Sequence, residues 1–367
     1  MSPGALDRYF DGRSVAMTEL LPGRRVPLRF SDSVAEHLAT RRAAGLFDFS
    51  FMGCIEITGA RGAALLNAVQ TRNLASLPVG RIRYTLLLRD DGTVLNDATV
   101  WRTGEQAWLL FVGRREDLQH ISEHAAGLDV PLDDRSDRFA VLALQGPLAR
   151  TILPRCLTVP ADLPYYGFAE SVFAGRPCLV ARLGYSGEAG YEIVLASDDA
   201  PVLWKALRTA GTPHGLEECG FEAVDTLRIE AGHVLFSREL ALEVTPYELG
   251  LARLLDHPLP VGCGPTYPHR EPSAGMTALA ARRFREPARC LVGLLLDGPP
   301  RAPGDERDAA AARITSACRS PLLDRWIGLG FVPGALRHPG TRVQVGATRA
   351  SVARLPFYDP GKRLPRA

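Results

Sequence analysis

The stretch Gly184–Glu192, GYSGEAGYE, with the later stretch Asp225–Gly250, DTLRIEAGHVLFSRELALEVTPYELG, decides how this chain is read. Glycines at 184, 187 and 190 punctuate a turn that carries two carboxylates, Glu188 and Glu192. Arg228 follows in a periodic segment, and the proline-anchored acidic turn TPYELG closes the block. Such a set suits a flat, hydrogen-bond-rich heterocycle with an anionic tail better than nucleic acid, phosphate or metal. A carboxylate can accept two neighbouring N–H groups at once, and a guanidinium fork matches a carboxylate.

Composition narrows the field. A chain of 367 residues is too long for one simple core and implies two or three domains. At 46% apolar residues it has ample material to bury, as a soluble globular protein does. A net charge of +2 points to no polyanionic partner, so nucleic acid is not expected. The opening MSPGALDRYFDGRS shows no basic flank followed by an apolar run, and no apolar segment reaches membrane-spanning length. A cytoplasmic protein with no membrane partner is expected. The only lysines are Lys205 and Lys362, neither placed for a Schiff base or a phosphate loop. Cysteines at 54, 156, 178, 219, 263, 290 and 318 form no CxxC pair, which predicts reduced, mostly buried thiols and no zinc site.

Along the chain, a helix is predicted over 34–44 with Gly45 as its C-terminal cap, then a strand over 55–58 and a helix over 60–69. DDGT joins strands 83–88 and 94–102 in a hairpin. A strand at 108–112, a helix at 116–126, a strand at 139–144, a helix at 147–153, a hairpin at 178–195 and helices at 200–210 and 221–230 follow. This mixture predicts an α+β fold rather than a doubly wound parallel sheet. The segment HPLPVGCGPTYPHREPSAG (257–275) reads as a linker. The expected division is 1–256, a linker at 257–286, and a small β-barrel domain of short strands at 287–367.

Three motifs are set aside. HISEH (120–124) fits a zinc-binding pattern but has no recognisable downstream acidic ligand, so a solvated helix face is expected. GYSG around Ser186 lacks the GxSxG spacing of a nucleophile elbow. The glycines of 184–190 lack the GxGxxG spacing of a dinucleotide turn.

The decisive blocks also occur with EHLATRRAAGLFDFSFM (36–52), RYTLLL (83–88), DGTVLNDATV (91–100), LALQGPLA (142–149), TSACRSPLLDRWIGLGFV (315–332), GTRVQV (340–345) and RLPFYDP (354–360). In this order they resemble the glycine cleavage system aminomethyltransferase (T-protein) and its tetrahydrofolate-dependent relatives. The resemblance implies two interleaved mixed α/β-sheet domains around a central folate channel, closed by the C-terminal β-barrel. It also implies tetrahydrofolate, or its 5-methyl or 5,10-methylene form, as cofactor.

Residue by residue, the resemblance places Glu192 on the pterin edge, Tyr185 and Met52 against the ring, and Tyr84 and Trp101 near the folate. Arg228 would meet the glutamate tail. Asp97, inside a strand beyond the predicted turn, would be catalytic, orienting folate and donor and sharing a proton. Glu188 is expected to serve the turn and stay solvated. The chain departs from the family pattern at Asn96, Gly113 and Phe236, and GMTAL (275–279) is all that remains of the usual opening of the last domain.

The implied function is a folate-dependent one-carbon transferase acting between folate N5 and a small N-, O- or S-linked donor or acceptor. The RLPFYDP ending looks closer to relatives acting on methylated amines than to the glycine cleavage component, and a separate oxidase or carrier-protein partner is possible on that reading. Two alternatives stand beside it. One is a folate-binding protein without transferase activity; the other is a relative that has lost folate and runs another reaction in the channel.

Overall fold

The computed structural model describes residues 4–255, 273–283, 285–300 and 312–367. Two sheets form its body. The first, six-stranded, runs in the order Phe168–Phe173, Arg176–Ala181, Gly190–Ala196, Phe139–Gln145, Ala44–Asp48, Leu216–Glu218. The second, five-stranded, runs Ile82–Leu88, Val94–Gly104, Ala107–Val112, Gly53–Thr58, Leu132–Asp134. The chain lays one strand of the first sheet, leaves to build the whole second sheet between residues 53 and 134, and returns at Phe139. The two sheets are therefore interleaved in sequence.

Period-2 alternation explains how they stack. In the strand at 139–145, Val141 and Ala143 turn inward, while Ala140, Leu142 and Leu144 turn outward. In the strand at 107–112, Leu109 and Phe111 turn inward, and Trp108, Leu110 and Val112 outward. The inward residues of both sheets share one apolar cluster, so the sheets face each other. Leu203, Trp204 and Leu207 of the helix Ala200–Gly211 cover the outside of the first sheet. Leu65, Leu66 and Ile121, from the helices Gly62–Val69 and Leu118–Ala125, cover the second. The result is a helix–sheet–sheet–helix stack, an α+β fold.

Some local expectations need correction. Gly45 is not a helix cap: the helix Ser33–Arg42 ends at Ala43, and Gly45 lies inside the following strand. A Cβ there would lie 2.2 Å from Thr40 Oγ1 and 2.9 Å from Cys219 Sγ, so close packing, not a left-handed backbone, requires glycine. The helix expected at 147–153 is one α-turn, Ala149–Ile152, continued by a tighter turn. Of the linker expected at 257–286, residues 257–272 lie outside the described residues. Residues 274–280 form a helix capped by Ser273, with Met276 and Leu279 buried against the 82–104 hairpin.

The C-terminal strands make a five-stranded, wholly antiparallel sheet ordered Arg313–Ser320, Arg325–Pro333, Arg289–Leu296, Thr348–Ala353, Arg342–Val345. It docks on the helix Phe221–Glu230 through buried charge as well as apolar contact. Glu230 accepts from Arg41 at 2.7 Å and from the Ser320 hydroxyl, and it lies 3.3 Å from His37 Nε2. Burial pushes the Glu230 carboxyl up, but His37, Arg41 and Ser320 outweigh it and hold the group below its ordinary value. Its backbone carbonyl accepts from Phe357 and Tyr358, which ties down the C-terminal segment.

Glu230→Ala should cost about 3–5 kcal/mol, because it leaves the Arg41 cation buried without its main partner. Urea unfolding measures this; a loss below about 1 kcal/mol would mean that the network contributes little to stability.

Candidate functional site

A cavity of about 510 Å³ opens between the inner faces of the two sheets. In the strand Val94–Gly104 the side chains at 97, 99 and 101 turn inward, which brings Asp97 and Thr99 to the wall. Tyr84, paired with Thr99 across the hairpin, donates its hydroxyl to Asp97 Oδ2 at 2.9 Å. Asn96 points the opposite way and donates to Asp117 at 2.7 Å. The departure at 96 therefore falls on the face away from the cavity.

Burial raises the Asp97 carboxyl to about 6, partly offset by the Tyr84 hydrogen bond. Burial, with Asp97 beside it, lifts the Tyr84 phenol well above its ordinary value, so its proton stays in place. Across the cavity Glu192 sits on the strand Gly190–Ala196, and burial alone drives it to about 8. Among the described residues no donor meets its side chain. It is a carboxyl that holds its proton at neutral pH, and it would ionise against a ligand that offers N–H groups or positive charge.

The structure thus brings Asp97, Glu192, Tyr84, Tyr185 and Met52 around one cavity. Two expected residues lie outside its lining. Trp101 shares the inner face of Asp97, but it is buried between Phe111 and Phe168, with centroids 4.9 Å and 5.3 Å away, and its indole N–H donates to Thr99. It is core. Arg228 is fully buried and its donors are committed: to Asp225, to the His233 carbonyl, to Glu239 at 2.9 Å and to Ser316 at 2.7 Å. A guanidinium has five N–H donors, and these contacts use them all. Arg228 braces the 233–239 segment beneath the cavity and has nothing left for a ligand's tail. Glu188 also differs from expectation: it is buried and bonded to Arg41 at 2.9 Å rather than solvated.

Sequence reasoning passed over the cations that line the cavity, Arg72, Arg83, Arg253, Lys362 and Arg366, and it passed over His233. None stands in a pattern that marks it; only the fold gathers them. Gly113 and Phe236 prove to be one feature. A Cβ at 113 would lie 2.5 Å from Phe236 Cδ1, so the Phe236 ring fills the volume a side chain at 113 would use. His120 and His124 lie with ring centroids 4.3 Å apart and planes tilted by 56°, but among the described residues no third potential ligand joins them. No helix among the described residues is long and apolar enough to cross a membrane.

Fold and site together define a class: an α+β protein with a largely apolar cavity between two facing sheets, lined by the carboxyl groups of Asp97 and Glu192. Residues 12–257 match the GCVT N-terminal domain, and residues 289–359 match the glycine cleavage T-protein C-terminal barrel domain. The chain is 39% identical over 367 residues to an aminomethyltransferase of Streptomyces avermitilis, covering 96% of each. It is 35% identical over 349 residues to an aminomethyltransferase of Bacillus subtilis, covering 92% of this chain and 93% of that relative. The glycine cleavage system aminomethyltransferase T of Bartonella henselae superposes with a TM-score of 0.82 at 26% identity over 98% of both chains. The chain belongs to the glycine cleavage T-protein family, a family of transferases.

Two outcomes follow from the geometry. Between about pH 4.5 and 8 the folded protein holds the Glu192 proton that the unfolded chain releases, so ligand-free stability should fall as pH rises through that window. The slope is at most about 1.4 kcal/mol per pH unit. Asp97 adds to it only up to about pH 6. Glu192→Gln should flatten the upper part of the profile, which thermal melts across pH would show. Gly113→Ala should displace Phe236 and lose about 1–3 kcal/mol, and Phe236→Ala should rescue part of that loss in the double variant.

Proposed function

We propose that the chain is a tetrahydrofolate-dependent one-carbon transferase, moving a methyl- or aminomethyl-level carbon between folate N5 and a small N-, O- or S-linked substrate. One observation carries this reading: Glu192, a buried carboxyl with no donor among the described residues, faces the same cavity as the Tyr84-bound Asp97. The residues present fit a reduced folate group by group. The two Glu192 oxygens suit the adjacent amino and ring N–H groups of the pterin edge. Met52, Phe111, Leu183 and Tyr185 supply apolar and aromatic walls. Arg253 and Arg366, exposed and without an ion pair among the described residues, take the role first expected of Arg228 at the anionic tail.

When bound, tetrahydrofolate supplies the nitrogen nucleophile that carries the one-carbon unit. Asp97 works beside it as a carboxyl tuned to about 6, near enough to neutrality to take a proton and return it. Tyr84 occupies one Asp97 oxygen and leaves the other to the reacting groups. The apolar walls keep out water that would compete for the transferred carbon. A carrier protein or a separate oxidase would supply the one-carbon unit where the small donor is not itself sufficient.

Calorimetric titration with (6S)-tetrahydrofolate and its 5-methyl and 5,10-methylene forms tests the reading. Saturable binding that Glu192→Ala abolishes is expected. Asp97→Asn should keep the binding and slow transfer by about 100- to 10,000-fold. Failure of every form to bind would sink the proposal, and undiminished transfer by Asp97→Asn would remove that residue from the chemistry.

A further inference from the structure

His233 is a further polar group on the cavity wall, and the transfer chemistry above does not use it. Its Nδ1 lies 3.1 Å from the backbone carbonyl oxygen of Tyr185. A carbonyl can only accept, so Nδ1 carries the hydrogen and Nε2 of the neutral ring carries the lone pair. The imidazole stacks on the Tyr185 ring, with centroids 5.5 Å apart and planes at 26°, while the Tyr185 hydroxyl donates to the Val234 carbonyl. Each ring thus holds the other's segment, and the imidazole cannot turn over without losing a bond. Burial, with Lys362 and Arg228 adding to it, pushes His233 down to about 4, so the ring is neutral under physiological conditions. Among the described residues nothing donates to Nε2. Unlike His37 and His120, which lie away from the cavity, His233 lines it, between the apolar side chains of Val234, Leu235 and Phe236 on the same wall.

We propose that His233 Nε2 is a specificity-determining acceptor for the non-folate substrate, taking an N–H of an amine that bears the one-carbon unit. The inference rests on the transferase reading. The chemistry narrows the substrate class: a fixed acceptor gains nothing from a methoxy oxygen, a thioether or a sulfonium, because none of these carries a hydrogen to donate. A fully substituted ammonium fails for the same reason. Lys362 on the same cavity, with Arg253 and Arg366, disfavours a bare cation, so the amine that fits also carries an anionic group. Glu192 and Asp97 meet the folate, and His233 meets the amine from the wall formed by residues 231–236.

The test uses the full chain saturated with tetrahydrofolate, titrated calorimetrically with N-methylglycine and with N,N,N-trimethylglycine. Both probes are zwitterions with one carboxylate, and they differ in whether the nitrogen bears hydrogen. The wild type should prefer N-methylglycine by about 10- to 100-fold, the span of one hydrogen bond involving a charged group. His233→Leu should erase the preference, His233→Gln should restore part of it through its amide oxygen, and the tetrahydrofolate affinity should stay the same in both. Equal or absent binding of the two probes by the wild type overturns the proposal. So does a preference that survives in His233→Leu, or a loss of tetrahydrofolate affinity in that variant, which would put His233 on the folate half. If the wild type binds no tetrahydrofolate, the transferase reading fails separately, and the same probe pair titrated into the free protein still decides the role of His233.

Discussion

The buried ion pair between Arg41 and Glu230 is the constraint on which the rest of the structure depends. Arg41 reaches Glu230, Glu188 and the Ser186 and Leu227 carbonyls, and its guanidinium lies 4.1 Å from the centre of the Tyr358 ring. Glu230 adds Ser320 and the backbone of the C-terminal segment. Five regions far apart in sequence meet on two opposite charges: two helices, the glycine turn, the C-terminal sheet and the tail. An unpaired buried charge is far costlier than a paired one, so these regions must assemble together or not at all. Arg228, two residues before Glu230 on the same helix, repeats the logic toward Glu239 and Ser316. The two networks fix the wall of the cavity between them.

Against that background the functional groups stand out by what they lack. Arg41, Arg228 and Glu230 are buried, charged and saturated. Glu192 is buried without a donor among the described residues, the Nε2 of half-buried His233 lies on the cavity wall, and Asp97 has one phenol for two oxygens. Burial of an unpaired polar group costs free energy, and at the cavity wall a ligand that offers hydrogen bonds returns it. The site is recognised by unmet polar groups that also face one cavity, not by residue type.

That difference explains why Glu192 and Arg228, which rest on the same kind of sequence argument, come out so differently. Both sit in the family's blocks, and both have a charge that suits folate. Their environments are set by residues dozens of positions away: Glu239 and Ser316 for Arg228, and the bare inner faces of two sheets for Glu192. Glu188 and Glu192 make the same point at closer range. They are four residues apart, one in the glycine turn and one on the strand that follows it, yet one is bound to Arg41 and the other faces the cavity. His233 lies inside a quoted block and carries no local signal at all, since its tautomer depends on a carbonyl in a different loop.

Period and turn chemistry are local, and the sequence by itself determined them: the DDGT hairpin, the alternation that faces Asp97 inward, the helices at 200–210 and 221–230, and the α+β class with a β domain at the end. The order of its blocks also determined the family. What only the tertiary structure decided is which polar groups are paid their hydrogen bonds and which are left open. It made Gly45 a packing glycine rather than a cap, joined Gly113 and Phe236 into one wall, withdrew Trp101 and Arg228 from the cavity, and gathered Arg253, Lys362, Arg366 and His233 around it. The reason is physical. Propensity and periodicity act over a few residues, whereas burial, electrostatic pairing and steric contact are set by whichever distant segments the fold brings together.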